Sequence, residues 1–437
     1  MNILLLGSGG REHAIACRLV DSRRCTTLYV APGNAGTATL RKCCNVDVDP
    51  MDFEALRRLV LDKGISMVVV GPEGPLVAGV ADFFAADPEL RNVVMIGPGA
   101  AGARLEGSKD FAKQFMQRHG IPTAPYRSFS ADEADEAERF LETLKAPYVL
   151  KADGLAAGKG VLILDDIATA RQELRAMLQG KFGKASAKVV VEQYLSGVEL
   201  SVFVLTDGRH YKILPTAKDY KRIGDGDTGL NTGGMGSISP VFFADKAFMH
   251  KVEENIVAPT VRGLSREGIP YKGFIFVGLM AVENPDNGEL DPYVIEYNVR
   301  MGDPETEAVF PRITSDIVDL FDYLWRGTLQ HAPLEIDPRA AACVMMVSGG
   351  YPGHYEKGKP ITGIEAVQGC QVFHAGTARN DSGHLVTAGG RVLCVTSLSE
   401  SLPAALLKSY QELENIKWEG RFFRHDIGQD LLKMMIK

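Results

Sequence analysis

The chain has 437 residues, which predicts about three domains at roughly 150 residues each. Its charged fraction of 24% and hydrophobic fraction of 45% are typical of globular proteins and argue against a disordered chain. The formal net charge of −7 excludes a generally basic protein that coats nucleic acid. No apolar run reaches the length of about 18 residues that a membrane span needs. The seven cysteines include no CxxC pair, so we expect reduced thiols in a cytoplasmic protein.

Residues 1–102 alternate short apolar runs, glycine turns and helical patterns. Apolar runs predict four strands, at residues 3–6, 27–30, 67–70 and 93–96. Amphipathic stretches predict two helices, at residues 11–20 and 52–62. This alternation predicts a parallel sheet with helices on its faces. Ligands bind at the carboxyl ends of the strands in such sheets, where this sequence places its glycine turns.

The first turn, GSGGRE at residues 7–12, departs from a dinucleotide-binding fingerprint. Glu12 stands where the third glycine of GxGxxG belongs. The second strand leads into PGN at 32–34 instead of the acidic residue that would bind ribose. An oxidoreductase with a nicotinamide cofactor is therefore disfavoured. The turn can still present backbone N–H groups to a phosphate, and a tight structural turn is an equal alternative on this motif alone.

Two glycine-rich loops follow in the centre of the chain. The loop KADGLAAGKG at 151–160 lacks the spacing and the Ser/Thr of a Walker A motif, but its lysines and glycines suit a mobile lid over phosphates. A flexible surface hairpin is the alternative. The loop at 219–236, DYKRIGDGDTGLNTGGMG, is dense in charge and glycine, and long loops in compact domains are usually functional. An exposed mobile loop without a function is the alternative.

The segment YVIEYNVRMGDPE at 293–305 carries the strongest local chemistry. In strand geometry Glu296, Asn298 and Arg300 share one face. A carboxylate and an amide oxygen can hold Mg²⁺, and an arginine beside them can bind a phosphoryl oxygen with two hydrogen bonds. An exposed antiparallel face is the alternative interpretation. A composition break at 330–338 predicts a linker to a small α/β unit that contains SGGYP at 348–352.

In this order the motifs resemble the ATP-grasp superfamily and, within it, the glycinamide ribonucleotide synthetase family. The resemblance covers nearly the whole chain. It rests on eight motifs: GSGGREHA at 7–14, PGNAG at 32–36, GPE at 71–73, EGSKDFAK at 106–113, KADGLAAGKGV at 151–161, DYKRIGDGDTGLNTGGMG at 219–236, IEYNVRMGDPET at 295–306 and GGYPG at 349–353. Tyr220, Leu230 and Met301 depart from the residues usual in the family, but none of the three removes a charged group.

The resemblance implies an α/β protein of three domains. A Rossmann-like parallel sheet on the phosphoribosylamine side would span residues 1–102, an ATP-grasp fold would span 103–326 with a lid subdomain at about 121–191, and a small α/β domain would span 327–437. The implied reaction is ATP-dependent ligation of glycine to 5-phosphoribosylamine in purine biosynthesis, through glycyl phosphate. Its products are glycinamide ribonucleotide, ADP and phosphate. A monomer with small-molecule partners, and without nucleic acid or membrane, is expected, with weak self-association as the alternative.

The resemblance also implies roles for individual residues. Glu296 and Asn298 would hold Mg²⁺ or Mn²⁺ between the ATP phosphates, and Arg300 would stabilise the transferred phosphoryl group. Catalytic roles beside Arg300 are implied for four residues of the 219–236 loop, which would enclose glycine and the intermediate: Asp219, Lys221, Asp225 and Asn231.

ATP would contact the glycine-rich loop and the strand after it, with Glu192 and the following backbone on adenine and Glu199 on ribose. The implied ATP-binding residues are Lys109, Lys151, Gly158, Lys159, Gly160, Glu192 and Glu199. Phosphoribosylamine would lie at the N-terminal sheet. The implied substrate-binding residues are Gly9, Gly10, Arg11, Glu12, Asn34, Glu73, Gly302 and Asp303.

Two alternatives remain open. Another ATP-grasp ligase that acts on a different carboxylate would use the same metal-binding strand, and only the N-terminal and 219–236 motifs separate the two. A non-catalytic nucleotide-binding or scaffold protein is the second alternative. The intact set of Glu296, Asn298, Arg300 and Lys151 argues against it.

Overall fold

The computed structural model describes residues 1–156 and 160–436. Within them, the strands form four sheets of four or five strands and two short antiparallel ribbons. No helix in these two ranges combines the length and the apolar composition that crossing a bilayer requires.

The N-terminal sheet is parallel, with strand order β3-β2-β1-β4-β5, as the sequence predicts. Its strands are β1 Asn2–Gly7, β2 Thr27–Pro32, β3 Cys43–Asn45, β4 Ile65–Val70 and β5 Val94–Ile96. The helices of this part are α1 Gly10–Asp21, α2 Phe53–Lys63, α3 Glu73–Val77, α4 Val80–Ala86, α5 Ala100–Gly107 and α6 Lys109–Arg118. Both faces of β1 are buried, since Ile3 and Leu5 join one hydrophobic core and Leu4 and Leu6 join another.

A small antiparallel unit follows, with sheet order β6-β9-β7-β8 and two helices packed into its core. Its elements are β6 Tyr126–Ser130, α7 Ala134–Glu142, β7 Tyr148–Ala152, β8 Val161–Leu164, α8 Ile167–Leu178 and β9 Lys188–Gln193. A capping box precedes α7, because Ser130 and Glu133 cap a 3₁₀ turn at Ala131–Glu133 that leads into this helix.

The central sheet is antiparallel, with order β11-β10-β16-β17. Its part of the chain contains β10 Val198–Thr206, β11 Tyr211–Ile213, β12 Lys218–Asp219, β13 Arg222–Gly224, β14 Thr228–Asn231, β15 Gly236–Ser239, α9 Lys246–Val252, α10 Ala258–Arg266, β16 Gly273–Glu283, β17 Leu290–Asn298, α11 Glu305–Val309 and α12 Ile317–Trp325. Residues of this sheet lie in the same two cores as the N-terminal strands, so the two units pack as one body.

The last sheet combines strands from two distant parts of the chain, in the order β12-β15-β18-β22-β19. The C-terminal elements are β18 Ala340–Val347, β19 Gln371–His374, β20 Thr377–Arg379, β21 Leu385–Thr387, β22 Arg391–Ser399, α13 Leu402–Leu413 and α14 Gln429–Ile436. Because β15 pairs with β18, the 219–236 loop begins and ends on strands of this sheet. The C-terminal unit is therefore joined to the centre of the molecule by main-chain hydrogen bonds as well as by the chain itself.

Two neighbouring leucines on α13 test the contribution of the C-terminal core. Leu406 is 3% exposed and Leu407 is 60% exposed. We expect Leu406→Ala to lower the free energy of unfolding by about 2–5 kcal/mol, because it removes packed side-chain volume. Leu407→Ala, the matched control, should change it by less than about 0.5 kcal/mol. Urea unfolding of both variants measures the difference, and equal effects would contradict this account of the core.

Candidate active site

A β-bulge in β17 sets the face on which the predicted metal ligands lie. Gly278 of β16 pairs with Glu296, but the next residue, Leu279, pairs with Val294, so Ile295 is the extra residue. The bulge lets Val294 and Tyr297 be buried while Glu296 and Asn298 stay half-buried on the opposite face. The sequence prediction that these two polar side chains share a face therefore agrees with the structure.

The carboxylate of Glu296 is surrounded by cations but bonded to none of them. No hydrogen bond or ion pair of Glu296 occurs among the residues that the structure describes. Burial would raise its pKa, but the positive charges of Lys221, Lys151 and Lys109 outweigh burial and lower the pKa. An ionised carboxylate beside an amide oxygen suits a divalent cation with oxygen ligands. Across the described part of the chain there is no group of three His, Cys, Asp or Glu side chains that could hold a metal by themselves.

Arg300 is fixed by carboxylates on two helices. Its Nη2 donates to Glu106 Oε1 at 2.8 Å and to Asn298 Oδ1 at 3.2 Å, and its Nε lies 3.4 Å from Glu73 Oε2. Glu106 is 7% exposed and also accepts a hydrogen bond from the Val299 N–H at 2.8 Å. Burial raises the pKa of Glu106, whereas Arg300 and Arg11 lower that of Glu73 against the effect of burial. These contacts hold the guanidinium beside the Glu296–Asn298 face.

Two lysines hold the carboxylate of Glu192 on β9. Lys113 Nζ donates to Glu192 Oε2 at 2.5 Å, and Lys151 forms an ion pair with Oε1. Lys151 Nζ also donates to the Ile295 carbonyl at 3.1 Å, so this lysine connects the small antiparallel unit to the bulge in β17. Glu192 is 2% exposed, and its pKa is lowered because the two lysines outweigh burial. Burial lowers the pKa of Lys113 to about 8.

The other predicted ATP-binding residues lie at the edge of this unit. Lys109 begins α6 and its Nζ donates to the Gly154 carbonyl at 3.3 Å. The Gly160 carbonyl accepts from the Ala152 N–H at 2.8 Å. Gly158 and Lys159 lie outside the described residues. After β9, the backbones of residues 194–196 make no main-chain hydrogen bond within the described ranges, which leaves N–H and C=O groups for a ligand edge.

A second cluster of charges lies where β10, β12 and α11 meet. Lys221 Nζ donates to Glu199 Oε2 at 3.0 Å, and the charges of Glu199 and Asp219 raise the pKa of Lys221 against burial. Burial raises the pKa of Asp219. Glu305, at the start of α11, is 4% exposed, and its pKa is raised to about 8 by burial and then by Asp219. The cluster therefore contains more carboxyl groups than cations.

The N-terminal turn is held by its own side chains. Glu12 Oε2 accepts from the Gly9 N–H at 2.7 Å, and its Oε1 accepts from Arg11 Nε at 2.6 Å. Gly7 has φ +118°, and a Cβ there would lie 2.6 Å from Glu12 Cδ, so the turn requires glycine. Asn34 Nδ2 donates to the carbonyls of Ser8 and His374, while its Oδ1 accepts two backbone N–H groups of the next turn. Glu12 and Asn34 thus use their polar atoms to shape the turn.

The turn after β17 lies against α1. A Cβ on Gly9 would lie 3.0 Å from Asp303 Oδ2, and a Cβ on Gly10 would lie 2.2 Å from Glu307 Oε1. The Met301 carbonyl accepts from Arg11 Nη1 and from Arg300 Nη1, each at 3.2 Å. A Cβ on Gly302 would lie 2.4 Å from Glu305 Oε2. The structure therefore brings most predicted substrate-binding residues together between β1, α11 and β17, in the region that we call the cleft.

Two predicted catalytic residues of the 219–236 loop make their contacts in the C-terminal unit and within the loop itself. Asp225 Oδ1 accepts from the His425 N–H at 2.8 Å. Asn231 is exposed and pairs with Arg222 in the β13–β14 ribbon. Their assignment to the site stays a prediction.

The buried charged residues of the cleft that were not singled out from the sequence include Glu106, Lys113 and Glu305. The first two lie inside the EGSKDFAK motif and the third inside IEYNVRMGDPET. The motifs marked the right segments, but only the packing of α5, α6 and α11 shows which of their charges face the cleft.

Three family models match the chain. They are the N domain of phosphoribosylglycinamide synthetase at residues 1–106, its ATP-grasp (A) domain at 107–306 and its C domain at 341–430. A phosphoribosylamine–glycine ligase from Pseudomonas aeruginosa is 45% identical over 432 residues, which cover 98% of this chain and 97% of the relative. Another from Chlorobaculum tepidum is 45% identical over 438 residues, 99% of this chain and 100% of the relative.

Solved structures show the same architecture. The crystal structure of a phosphoribosylamine–glycine ligase from Thermotoga maritima is 36% identical, with a TM-score of 0.83, and the match covers 98% of this chain and 100% of that one. An N5-carboxyaminoimidazole synthase from Aspergillus clavatus, solved with ADP and a ribonucleotide, is 15% identical with a TM-score of 0.62 over 94% of this chain and 97% of its own. The second likeness shows the fold alone.

The raised pKa of Glu305 predicts a pH dependence of stability. Its ordinary value is 4.5 and its folded value is about 8, so between these the folded protein holds a proton that the unfolded chain releases. The stability contributed by this proton is complete below the ordinary pKa and is lost as the pH rises through about 8. Asp219 raises the pKa of Glu305, whereas Lys221 and Arg300 lower it.

We therefore expect wild-type protein to lose unfolding free energy relative to Glu305→Gln between about pH 5 and pH 8, measured by urea unfolding. Glu400→Gln, which removes an exposed carboxylate, is the control and should follow the wild-type pH dependence. Parallel curves for the wild type and Glu305→Gln would contradict the raised pKa.

Proposed function

The chain belongs to the phosphoribosylglycinamide synthetase family, and we propose that the cleft joins glycine to 5-phosphoribosylamine with ATP. The family membership confirms the α/β ATP-grasp fold and the ligase activity predicted from the motifs. One observation carries the assignment of the reaction to this cleft. Among the residues that the structure describes, the Glu296 carboxylate makes no hydrogen bond or ion pair, and it lies near Lys109, Lys151, Lys221 and Arg300, an arrangement suited to a phosphorylated substrate.

The reaction activates a carboxylate that is a poor electrophile. A glycine carboxylate oxygen attacks the γ-phosphorus of ATP, the bond to the bridging oxygen breaks, and ADP leaves. The amine of phosphoribosylamine then attacks the carbonyl carbon of glycyl phosphate. The carbon–oxygen bond to phosphate breaks, and the amine gives up a proton as the amide forms. Neither step needs a covalent enzyme nucleophile, so catalysis rests on positioning and charge neutralisation.

The ATP phosphates are assigned to Lys109 and Lys151. Lys151 holds Glu192 and the Ile295 carbonyl, contacts that it exchanges for a phosphate oxygen when ATP binds. Lys113 then remains on Glu192, so the buried carboxylate keeps one cationic partner. We assign adenine to the free backbone groups of residues 194–196 and ribose to Glu199. In this assignment Glu192 supports the lysines and the backbone that contacts adenine.

Glu296 and Asn298 would hold Mg²⁺ or Mn²⁺. When bound, such an ion neutralises phosphate charge and orients the phosphates for transfer. Asn298 Oδ1 accepts a hydrogen bond from Arg300, so the arginine also orients the amide group of Asn298. Arg300 would bind the transferred phosphoryl group, since its Glu106 contact fixes its orientation toward that face.

Glycine is assigned to the cluster of Asp219, Lys221 and Glu305, beside the 219–236 loop. Phosphoribosylamine is assigned to the N-terminal turns, where Arg11 and Glu73 supply charge and Gly10, the first residue of α1, supplies a backbone N–H group. Glu12 and Asn34 act there by fixing the turn. We propose the domain division 1–102, 103–326 and 327–437, and a monomeric protein in the cytoplasm.

The test of the function is ADP release with Mg²⁺-ATP, glycine and freshly generated phosphoribosylamine, each omitted in turn. We expect ADP in equal amounts with the glycine amide, and only in the complete mixture. If ATP is consumed with another carboxylate and not with glycine, the ligase class is correct and the substrate is wrong. If ATP is not turned over with any carboxylate, the chain is a binding protein.

Removal of the carboxylate of Glu296 tests the metal assignment. We expect Glu296→Ala to lower kcat at least about 10²-fold, because the cation loses its charged protein ligand and the phosphates lose their orientation. Glu283→Ala is the control, since Glu283 is an exposed carboxylate at the end of the neighbouring strand β16. Near-normal turnover of Glu296→Ala at ordinary Mg²⁺ concentration would refute the assignment.

A further inference from the structure

Arg391 connects two parts of the cleft that are distant in sequence. It begins β22 of the C-terminal unit, and its side chain is 19% exposed. Its Nη1 donates to the Gly233 carbonyl at 2.7 Å and to the Asp303 carbonyl at 2.8 Å, and lies 3.0 Å from Asp303 Oδ1. One guanidinium thus holds the end of the 219–236 loop and the turn that follows β17.

Tyr351, also in the C-terminal unit, holds the other polar group of Gly233. The Gly233 N–H donates to Tyr351 Oη at 3.0 Å, so both backbone groups of this residue are bound by C-terminal side chains. A Cβ on Gly233 would lie 2.8 Å from Arg391 Cζ, and glycine is therefore needed for this close approach. The contact leaves little freedom for the loop at this point.

Gly233 is adjacent to the residue that fixes Lys221. The N–H and the Oγ1 of Thr232 both donate to the Lys221 carbonyl, at 2.7 and 2.9 Å. Lys221 in turn binds Glu199 and lies beside Asp219 and Glu296. The hydrogen bonds of Arg391 and Tyr351 to Gly233 are therefore connected, through Thr232, to the charge cluster that we assign to glycine.

On its other side, Arg391 reaches the N-terminal turn. Asp303 lies against Gly9, and its carboxylate is close to Arg11 as well as to Arg391. The neighbouring Met301 carbonyl accepts hydrogen bonds from Arg11 and Arg300. Movement of Arg391 would therefore disturb the glycine side and the phosphoribosylamine side of the cleft together.

A separate set of C-terminal contacts holds the β13–β14 ribbon in the same loop. Arg424 Nη1 donates to Asp227 Oδ1 at 2.7 Å, and Asp426 Oδ2 accepts from the Gly226 N–H at 2.8 Å. These contacts anchor the ribbon without reaching Asp303. Arg391 differs from them because it touches the loop and the turn at once.

We propose that Arg391, assisted by Tyr351, is a positioning residue that couples closure of the 219–236 loop over glycine to the turn at the phosphoribosylamine side. The proposal rests on the function proposed above. Its consequence is chemical. Glycyl phosphate reacts with water, so the loop must exclude water until the amine arrives. Weaker contacts of Arg391 and Tyr351 to Gly233 should therefore let part of the intermediate hydrolyse.

Arg391→Met tests the proposal through substrate affinity and through the ratio of ADP to amide. We expect KM for glycine to rise about tenfold, which corresponds to about 1.4 kcal/mol, and KM for ATP to change less than about twofold. The ratio of ADP to amide should rise from one to about two or more, because part of the intermediate is lost to water. For Arg391→Lys, KM for glycine and the ratio of ADP to amide should lie between those of the wild type and Arg391→Met, since one ammonium cannot reproduce the guanidinium geometry.

Tyr351→Phe is the milder variant and removes only the oxygen that accepts the Gly233 N–H. It should raise KM for glycine and the ADP-to-amide ratio, as Arg391→Met does, but by about threefold or less. If Arg391→Met fails to fold, Tyr351→Phe still tests the proposal. Arg379→Met is the control, because Arg379 is an exposed arginine of the same unit that bonds to Gly383 within its own ribbon.

A ratio that stays at one with an unchanged KM for glycine in these variants would overturn the proposal, even if kcat or thermal stability falls. The wild-type enzyme separates this failure from failure of the proposed function. If the wild type forms no amide from glycine, the function is wrong. If the wild type forms it and the Arg391 and Tyr351 variants behave like Arg379→Met, only the positioning role is wrong.

Discussion

The pairing of carboxylates with cationic side chains is the constraint on which the cleft depends. A phosphate-binding site needs several positive charges close together, and those charges repel one another until phosphate arrives. Here Glu106 and Glu73 hold Arg300, Glu192 holds Lys151 and Lys113, and Glu199 holds Lys221. Each carboxylate compensates a cation and also fixes its direction. In the proposed assignment the site is preorganised before ATP binds, because carboxylates of the protein already balance the positive charges.

This arrangement explains why the cleft requires all parts of the chain. Arg300 comes from the turn after β17, while its partners Glu73 and Glu106 come from α3 and α5 at the N-terminal sheet. Lys151 belongs to the small antiparallel unit and meets the bulge in β17 through the Ile295 carbonyl. The C-terminal unit contributes the contacts of Arg391 and Tyr351 to Gly233. Because β15 pairs with β18 in the last sheet, the C-terminal unit lies beside the 219–236 loop and these contacts can form.

Much of this could be predicted from the sequence, because short-range patterns determine strands, turns and motifs. The parallel N-terminal sheet and the common face of Glu296 and Asn298 followed from periodicity and motif order. The β-bulge at Ile295 could not be predicted, since it depends on pairing with β16. The sequence suggested Glu12 and Asn34 as substrate ligands, whereas in the structure their polar atoms bind the turn itself. The contact between Arg391 and Gly233 joins residues 158 positions apart, beyond the reach of local patterns.

The two-lysine arrangement around Glu192 shows how charge compensation and movement can coexist. A buried carboxylate with a single cation would lose its partner whenever that cation turned to a phosphate, and an unpaired buried charge is costly. Lys113 is buried and is held by Thr123 as well as by Glu192, so it is fixed in place. Lys151 also has a carbonyl as a partner, and in the proposed assignment it exchanges both contacts for a phosphate oxygen. In that assignment the fixed lysine lets the other one turn to ATP, and the same buried glutamate serves both states.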